Sequence, residues 1–292
     1  MADRPVFILG LGAEKSGTTW LSAELWRHPQ IAFCPAELHV WAIRYLQLDV
    51  DTHHHIARNR LPVVRATIER APSGGSERAL RSAEIEGQAT FDALRRDPGL
   101  YASYFRELLD ADPGLRAVGE KSPSYALLDR DHYREIRGVL EDAGFDVSPV
   151  FIMRDPIDRI VSRYRYWLWQ TDPTRSLPTT PSLLAYAKRV RNRRLTTYEI
   201  TIDAAIAAFG EDTCFFGLYE EITRPGGLDP LYMHLGVDPM PADTGNRVFE
   251  TQVRMDPTPD EITALRGLFA STYDAVMARF GAQRIQEAWR NA

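Results

Sequence analysis

Gly10-Leu-Gly-Ala-Glu-Lys-Ser-Gly-Thr-Thr-Trp20 overlaps the end of the apolar run Val6-Phe-Ile-Leu-Gly-Leu11 and precedes Leu21-Ser-Ala-Glu-Leu25. A short, continuously apolar run reads as a buried parallel strand. Leu21 and Leu25 fall on one face of a helix running from about Thr18 to His28, which Pro29 stops. Between them lies a glycine loop. Gly12 and Gly17 have the separation of the two glycines in a nucleotide-binding G-x-x-x-x-G-K-[ST] loop, but here the lysine, Lys15, comes before the second glycine. Backbone N–H groups of Gly17, Thr18 and Thr19 at such a helix start point at an anion, helped by the helix dipole. The displaced lysine must therefore meet a different part of the ligand.

The same alternation continues along the chain. Ile31-Ala-Phe-Cys34, Ala117-Val-Gly-Glu120, Val147-Ser-Pro-Val-Phe-Ile-Met153 and Cys214-Phe-Phe-Gly-Leu-Tyr219 read as strands, and helical stretches separate them. This predicts an α/β fold, P-loop-like and three-layered, with a mainly parallel central sheet flanked by helices. A single domain over 1–292 is expected, with variable insertions at about 50–100 and 170–210. One amphipathic closing helix is predicted over 260–280, carrying Ile262, Leu265, Phe269, Val276 and Phe280.

Composition narrows the class. The chain has 292 residues, a net charge of −5 and 44% hydrophobic residues, as in an ordinary globular protein and unlike a general nucleic-acid binder. No run of about 18 apolar residues predicts a membrane span, and Met1-Ala-Asp-Arg-Pro5 does not resemble a signal peptide. Cys34 and Cys214 form no framework and read as two buried free thiols, so a cytoplasmic location is expected. Only three of the 35 basic residues are lysines, namely Lys15, Lys121 and Lys188. Such a bias reads first as coding composition, with the second reading that lysine is kept where a compact ammonium is needed.

A second motif is Arg154-Asp-Pro-Ile-Asp-Arg-Ile-Val-Ser162. Asp155 is a helix N-cap and Pro156 suits the first helical position. Arg154 ends the strand, and Ser162 lies about two turns into the helix, so guanidinium and hydroxyl can hold a second phosphate.

Together the two motifs resemble the sulfotransferases that use 3′-phosphoadenosine 5′-phosphosulfate (PAPS). Lys15-Ser-Gly-Thr-Thr-Trp20 is similar to their 5′-phosphosulfate loop, and Arg154 to Ser162 to their 3′-phosphate motif. The resemblance implies that Lys15, Ser16, Gly17, Thr18, Thr19, Trp20, Arg154 and Ser162 bind the donor. It also places Lys15 at the oxygen bridging phosphate and sulfonate, where leaving-group charge develops. Tyr219, in Leu-Tyr-Glu-Glu221, matches a family tyrosine near the adenine. One branch of the family takes a histidine base from a Lys-x-His pattern, but Pro123 stands at that place here. Glu120-Lys-Ser-Pro-Ser-Tyr125 instead resembles the glycan-type, heparan-sulfate-like branch, whose base is a glutamate after the first helix. His28-Pro29 followed by Glu37-x-His39 matches that pattern. The resemblance thus implies Glu37 as general base, Lys121 as a second active-site cation and His39 on the acceptor side.

The activity so implied is sulfonate transfer from PAPS to a hydroxyl, or less readily an amine, leaving 3′,5′-bisphosphate (PAP). No metal is needed, and the acceptor is a small molecule or glycan-like. A P-loop kinase using ATP or GTP is the alternative, and a non-catalytic nucleotide-binding protein is the third reading. Asn246-Arg247 falls near the family's late nucleotide-closing loop but lacks its glycine-basic signature. His53-His-His55 reads as a solvated helix end, because three consecutive histidines do not converge on one metal. Arg189, Arg191, Arg193 and Arg194 read as a solvated basic face that could also meet an anionic acceptor.

Overall fold

A computed structural model describes residues 4–34, 37–46, 94, 96–172, 174, 177, 179–245 and 253–292. His53–His55, with residues 50–93 of the expected insertion, and Asn246-Arg247 lie outside the described residues. The strands are β1 (Val6–Gly12), β2 (Ile31–Phe33), β3 (Ala117–Lys121), β4 (Asp146–Met153) and β5 (Phe215–Leu218), in one sheet of order β2-β3-β1-β4-β5. Every pairing is parallel. The expected α/β architecture is therefore present, with all five strands within a residue or two of their predicted places.

The helices that frame the site are α1 (Thr18–Arg27), α2 (Val40–Leu46), α3 (Pro98–Asp110), a 3₁₀ turn (Pro123–Leu127) and α4 (Arg130–Asp142). They are followed by α5 (Pro156–Thr171), α6 (Leu183–Ala187), α7 (Val190–Thr196), α8 (Tyr198–Phe209), α9 (Tyr219–Ile222) and α10 (Asp229–His234). The predicted closing helix is two helices, α11 (Pro259–Leu268) and α12 (Ala270–Phe280), followed by α13 (Ala282–Ala288). The break falls at Phe269, whose backbone leaves the helical region (φ −110°, ψ 15°) while its ring is fully buried. An apolar stripe reports the buried face but not a local departure from helical dihedrals.

The sheet has a core on each face, as continuous apolar strands require. Along β1, Phe7, Leu9 and Leu11 enter one core with Val118, Phe151 and Met153. Ile8 points the other way, to Trp20, Leu25, Ala117, Val150 and Ile152. Helix α5 buries an apolar stripe of Ile157, Ile160, Val161, Tyr164 and Leu168. Cys34 and Cys214 are both buried and do not pair with each other in a disulfide. Among the described residues no helix is long and apolar enough to cross a membrane.

Two glycines let the sheet close around its central strand. A Cβ at Gly10 would stand 2.3 Å from Cβ of Lys121, and one at Gly119 would stand 2.2 Å from the Ile8 carbonyl oxygen. Gly10 thus admits Lys121 beside β1, at the end of the sheet where the glycine loop begins.

Candidate active site

In a parallel α/β sheet, ligands bind outside the carboxyl ends of the strands, near the strand where the chain reverses its direction of winding. Here each of the five strands delivers a sequence-predicted residue at that end. β1 leads to Lys15, β2 to Glu37 and His39, β3 ends in Lys121, β4 is followed by Arg154 and β5 by Tyr219.

The loop after β1 wraps tightly. The Ala13 N–H donates to the Ile152 carbonyl at 2.8 Å, and the Ser16 N–H to the Ala13 carbonyl at 3.2 Å. Gly17 is the N-cap of α1 with φ 75°, and no side chain caps the helix, so its first N–H groups remain available to an anion. Glycine is required at 17 twice over: the backbone is left-handed, and a Cβ would stand 2.5 Å from the Tyr219 ring. Lys15 is also left-handed, at φ 69°. A non-glycine residue there costs roughly 1–3 kcal/mol, held by its surroundings. Arg154 is part of that hold, because its Nη1 donates to the Lys15 carbonyl at 3.2 Å.

Arg154 also lies over the Tyr219 ring, its Cζ 4.8 Å from the centroid. The Lys15–Trp20 loop, Arg154 and Tyr219 therefore form one surface: loop, guanidinium and ring in contact. The Arg154 Nε and the Ser16 Oγ are buried without a hydrogen-bond partner, as suits groups that an anionic ligand completes. Ser162 is half-buried on α5. Thr18 is buried and its carbonyl accepts from Ser22 Oγ at 2.8 Å, while Thr19 is half-buried. Trp20 sits in the core beneath the loop and donates its indole N–H to the Asp243 carbonyl at 2.9 Å. Its visible work is to tie α1 to the segment just before residue 246.

On the other side, Glu37, His39 and Lys121 come together. Lys121 Nζ donates to Glu37 Oε1 at 2.6 Å, and Glu37 Oε2 is 3.2 Å from His39 Nε2. His39 Nδ1 is 2.7 Å from Ser124 Oγ, and its backbone N–H donates to Ser122 Oγ at 2.8 Å. Ser122 Oγ in turn donates to Glu120 Oε2 at 2.9 Å, and Tyr101 donates to Glu120 Oε1 at 3.2 Å. Burial pushes Glu120 up to about 7, against the hydrogen bonds from Ser122 and Tyr101. The His39 backbone, left-handed at φ 55°, is thereby fastened to the end of β3.

Sequence reasoning missed the group beside Lys15. Its Nζ lies 4.6 Å from the centroid of Tyr166. Glu14 pairs with Arg163 Nε at 3.0 Å. Arg159 is wholly buried and donates to the Glu14 carbonyl at 3.3 Å, to the Asn192 carbonyl at 3.1 Å and to Thr196 Oγ1. Burial works against the Glu14 charge, yet Arg163, Arg159, Arg191 and Lys15 hold its carboxyl below the ordinary value. The i, i+4 spacing of Arg159 and Arg163, on the helix carrying Ser162, was the available signal. The run Arg189–Arg194 splits. Arg189 stacks on Trp167 (5.4 Å) and Tyr186 (5.1 Å), Arg191 acts on Glu14, and Arg194 donates to Thr201 Oγ1 at 3.1 Å, with its charge also acting on Tyr133. Among the described residues there is no group of three or more His, Cys, Asp or Glu arranged to hold a metal ion.

The glycine loop after β1, Arg154 after β4 and the Glu37–Lys121 pair thus lie together at the carboxyl ends of one parallel α/β sheet. The chain belongs to the sulfotransferase family, whose model matches residues 5–225. It is similar to a sulfotransferase from Alicyclobacillus acidocaldarius, with 22% identity, TM-score 0.55, and 95% of this chain and 96% of that one covered. A sulfotransferase domain from the curacin biosynthetic pathway aligns at 17% identity and TM-score 0.47, over 82% of this chain and 76% of that one. The sulfotransferase STF9 from Mycobacterium avium aligns at 15% and 0.42, over 94% and 77%. No curated protein sequence gives a match.

Proposed function

We propose that this chain transfers the sulfonate of PAPS to a hydroxyl acceptor, with Glu37 as general base. The observation that carries the proposal is the placement of Glu37, 2.6 Å from Lys121 and beside His39, at the same strand ends as the Lys15 loop. In this reading the 5′-phosphosulfate lies on the N–H groups of Gly17, Thr18 and Thr19 with Ser16. The 3′-phosphate takes Arg154 and Ser162, and the adenine lies near Tyr219. The acceptor oxygen attacks sulfur as the bond from sulfur to the bridging oxygen breaks, and that oxygen leaves on the 5′-phosphate of PAP. The acceptor proton passes to Glu37. Lys15 and Lys121 stabilise charge on the leaving oxygen and the sulfonate. The scheme needs no metal.

A carboxylate already bonded to an ammonium is a restrained base. An entering sulfonate gives Lys121 a second anion to contact, which loosens its hold on Glu37 as the donor binds. His39 then keeps the carboxylate oriented through the oxygen that Lys121 does not contact. Tyr166, Trp167 and Arg189 border the acceptor side in this reading, which suits a small-molecule or glycan-like acceptor and no nucleic acid.

Thermal shift against nucleotides tests the donor. Arg154 and Ser162 have a phosphate to bind only when the ligand carries one at the 3′ position. PAP should therefore raise the melting temperature well above AMP, ADP or ATP at equal concentration. Equal stabilisation by ATP would overturn the proposal in favour of a kinase.

A further inference from the structure

Asp155 is a helix N-cap with more partners than capping requires. Its Oδ1 accepts from the Ile157 and Asp158 N–H groups, at 2.9 and 3.3 Å, which is the ordinary cap. The same oxygen accepts from Tyr273 OH at 2.9 Å, and Oδ2 accepts from the Asn291 backbone and side-chain amides at 2.9 and 3.1 Å. The residue is completely buried. Three of its five donors thus come from α12 and from the segment after α13.

Glu220 joins this knot to the next strand. Its Oε1 accepts from the Asp155 N–H at 3.2 Å, and its Oε2 accepts from Trp289 Nε1 at 3.1 Å. Two outer ion pairs repeat the pattern: Arg290 with Asp158 at 2.5 Å and Arg284 with Glu221 at 2.6 Å. Trp289 is buried edge-on against Tyr273, with centroids 5.8 Å apart. It also lies 6.2 Å from Tyr198, whose hydroxyl donates to the Arg154 carbonyl at 2.8 Å.

These contacts are not scattered over the body. They fall on Asp155, directly after Arg154, on Asp158 in the first turn of α5, and on Glu220 and Glu221, the two residues directly after Tyr219. The Arg154–Tyr219 stack depends on how the ends of β4 and β5 are set relative to each other, and both ends are fastened by the same distant segment. That segment lies beyond residue 225, where the family match stops.

We infer that residues 273–291 form a positioning clasp for the nucleotide site, with Tyr273, Trp289 and Asn291 acting through Asp155 and Glu220 to set Arg154 against Tyr219. The inference rests on the proposed reading of Arg154 as the 3′-phosphate clamp. The clasp residues touch no ligand; they fix the direction of the guanidinium and so the preference for a 3′-phosphate.

The test uses the full chain and two changes together: Tyr273→Phe, which removes only the hydroxyl donor, and Trp289→Phe, which removes the indole N–H and also one ring of buried volume. Affinities for PAP and AMP are measured by calorimetry, with stability followed in urea. As a control, Leu265→Ala empties part of the buried core on α11 and loosens the fold without touching Asp155 or Glu220. The clasp predicts that the ratio of PAP to AMP affinity falls roughly tenfold in the double variant, the scale of losing hydrogen bonds to charged groups. The control should lose stability with the ratio unchanged. Asn291→Ala, which removes a single donor, should lower the ratio by a smaller factor and gives the same readout if the double variant folds poorly. An unchanged ratio in a destabilised variant would overturn the clasp and leave these contacts as structural ties. A wild-type chain without preference for PAP over AMP would instead refute the reading of Arg154, and the clasp with it.

Discussion

Replacing Gly17 by alanine probes the point where loop, helix and Tyr219 meet. Two costs can be assigned from the geometry. The backbone stands at φ 75°, where a residue with a Cβ loses about 1–2 kcal/mol. The new Cβ would lie 2.5 Å from the Tyr219 ring, so the ring must move off Arg154, at a cost of about 0.5–1 kcal/mol for the cation–π contact. Urea unfolding should therefore show a loss of about 1.5–3 kcal/mol, and PAP titration a clear weakening. Adding Tyr219→Ala separates the two parts. It relieves the steric conflict but not the backbone strain, so the double variant should be more stable than the sum of the singles by about 1 kcal/mol. A Gly17→Ala protein within about 0.5 kcal/mol of wild type, or strict additivity with Tyr219→Ala, would refute the reasoning.

Lys15→Arg keeps the charge but places a wide planar fork on a tight left-handed loop, so turnover should fall sharply; a near-normal rate would mean that Lys15 only balances phosphate charge. Arg154→Ala should abolish the preference for PAP over AMP, read by thermal shift, and should also loosen the loop through the lost bond to the Lys15 carbonyl. Burial raises Glu120 and Glu220 from 4.5 to about 7, so the folded protein binds their protons more tightly than the unfolded chain. Their contribution to stability is complete below the unfolded value and is lost as pH rises through about 7, and Glu120→Gln should flatten the dependence of the urea midpoint over that window.

The strands were legible because each is a short apolar run closed by glycine, proline or charge, a local signal. The two phosphate motifs were legible for a similar reason: Lys15 to Trp20 and Arg154 to Ser162 are contiguous, and each spans a strand end and a helix start. Glu37 came from its position in a resembling pattern, and its pairing with Lys121, 84 residues away, has no local mark. The Glu14–Arg163 pair and the Asp155 knot were hidden for the same reason. Asp155 reads fully as an N-cap, and nothing near it announces Tyr273 or Asn291. The split of the closing helix at Phe269 was hidden differently, since the buried ring continues the stripe while the backbone departs from it.

The central claim is that Glu37 takes the acceptor's proton during sulfonate transfer from PAPS. Sulfur-labelled PAPS, a panel of hydroxylated acceptors, and wild-type and Glu37→Gln proteins test it directly. The glutamine keeps the shape and hydrogen bonding of the side chain but cannot hold the proton. Label should pass to an acceptor with the wild type, and kcat should fall by about 10²–10⁴-fold in the variant. PAP affinity should be unchanged, because in the proposed reading the nucleotide lies on the loop at 15–20 and on Arg154, not on Glu37. Normal transfer by Glu37→Gln would contradict the account and move the base to another group, with His39 the first to replace.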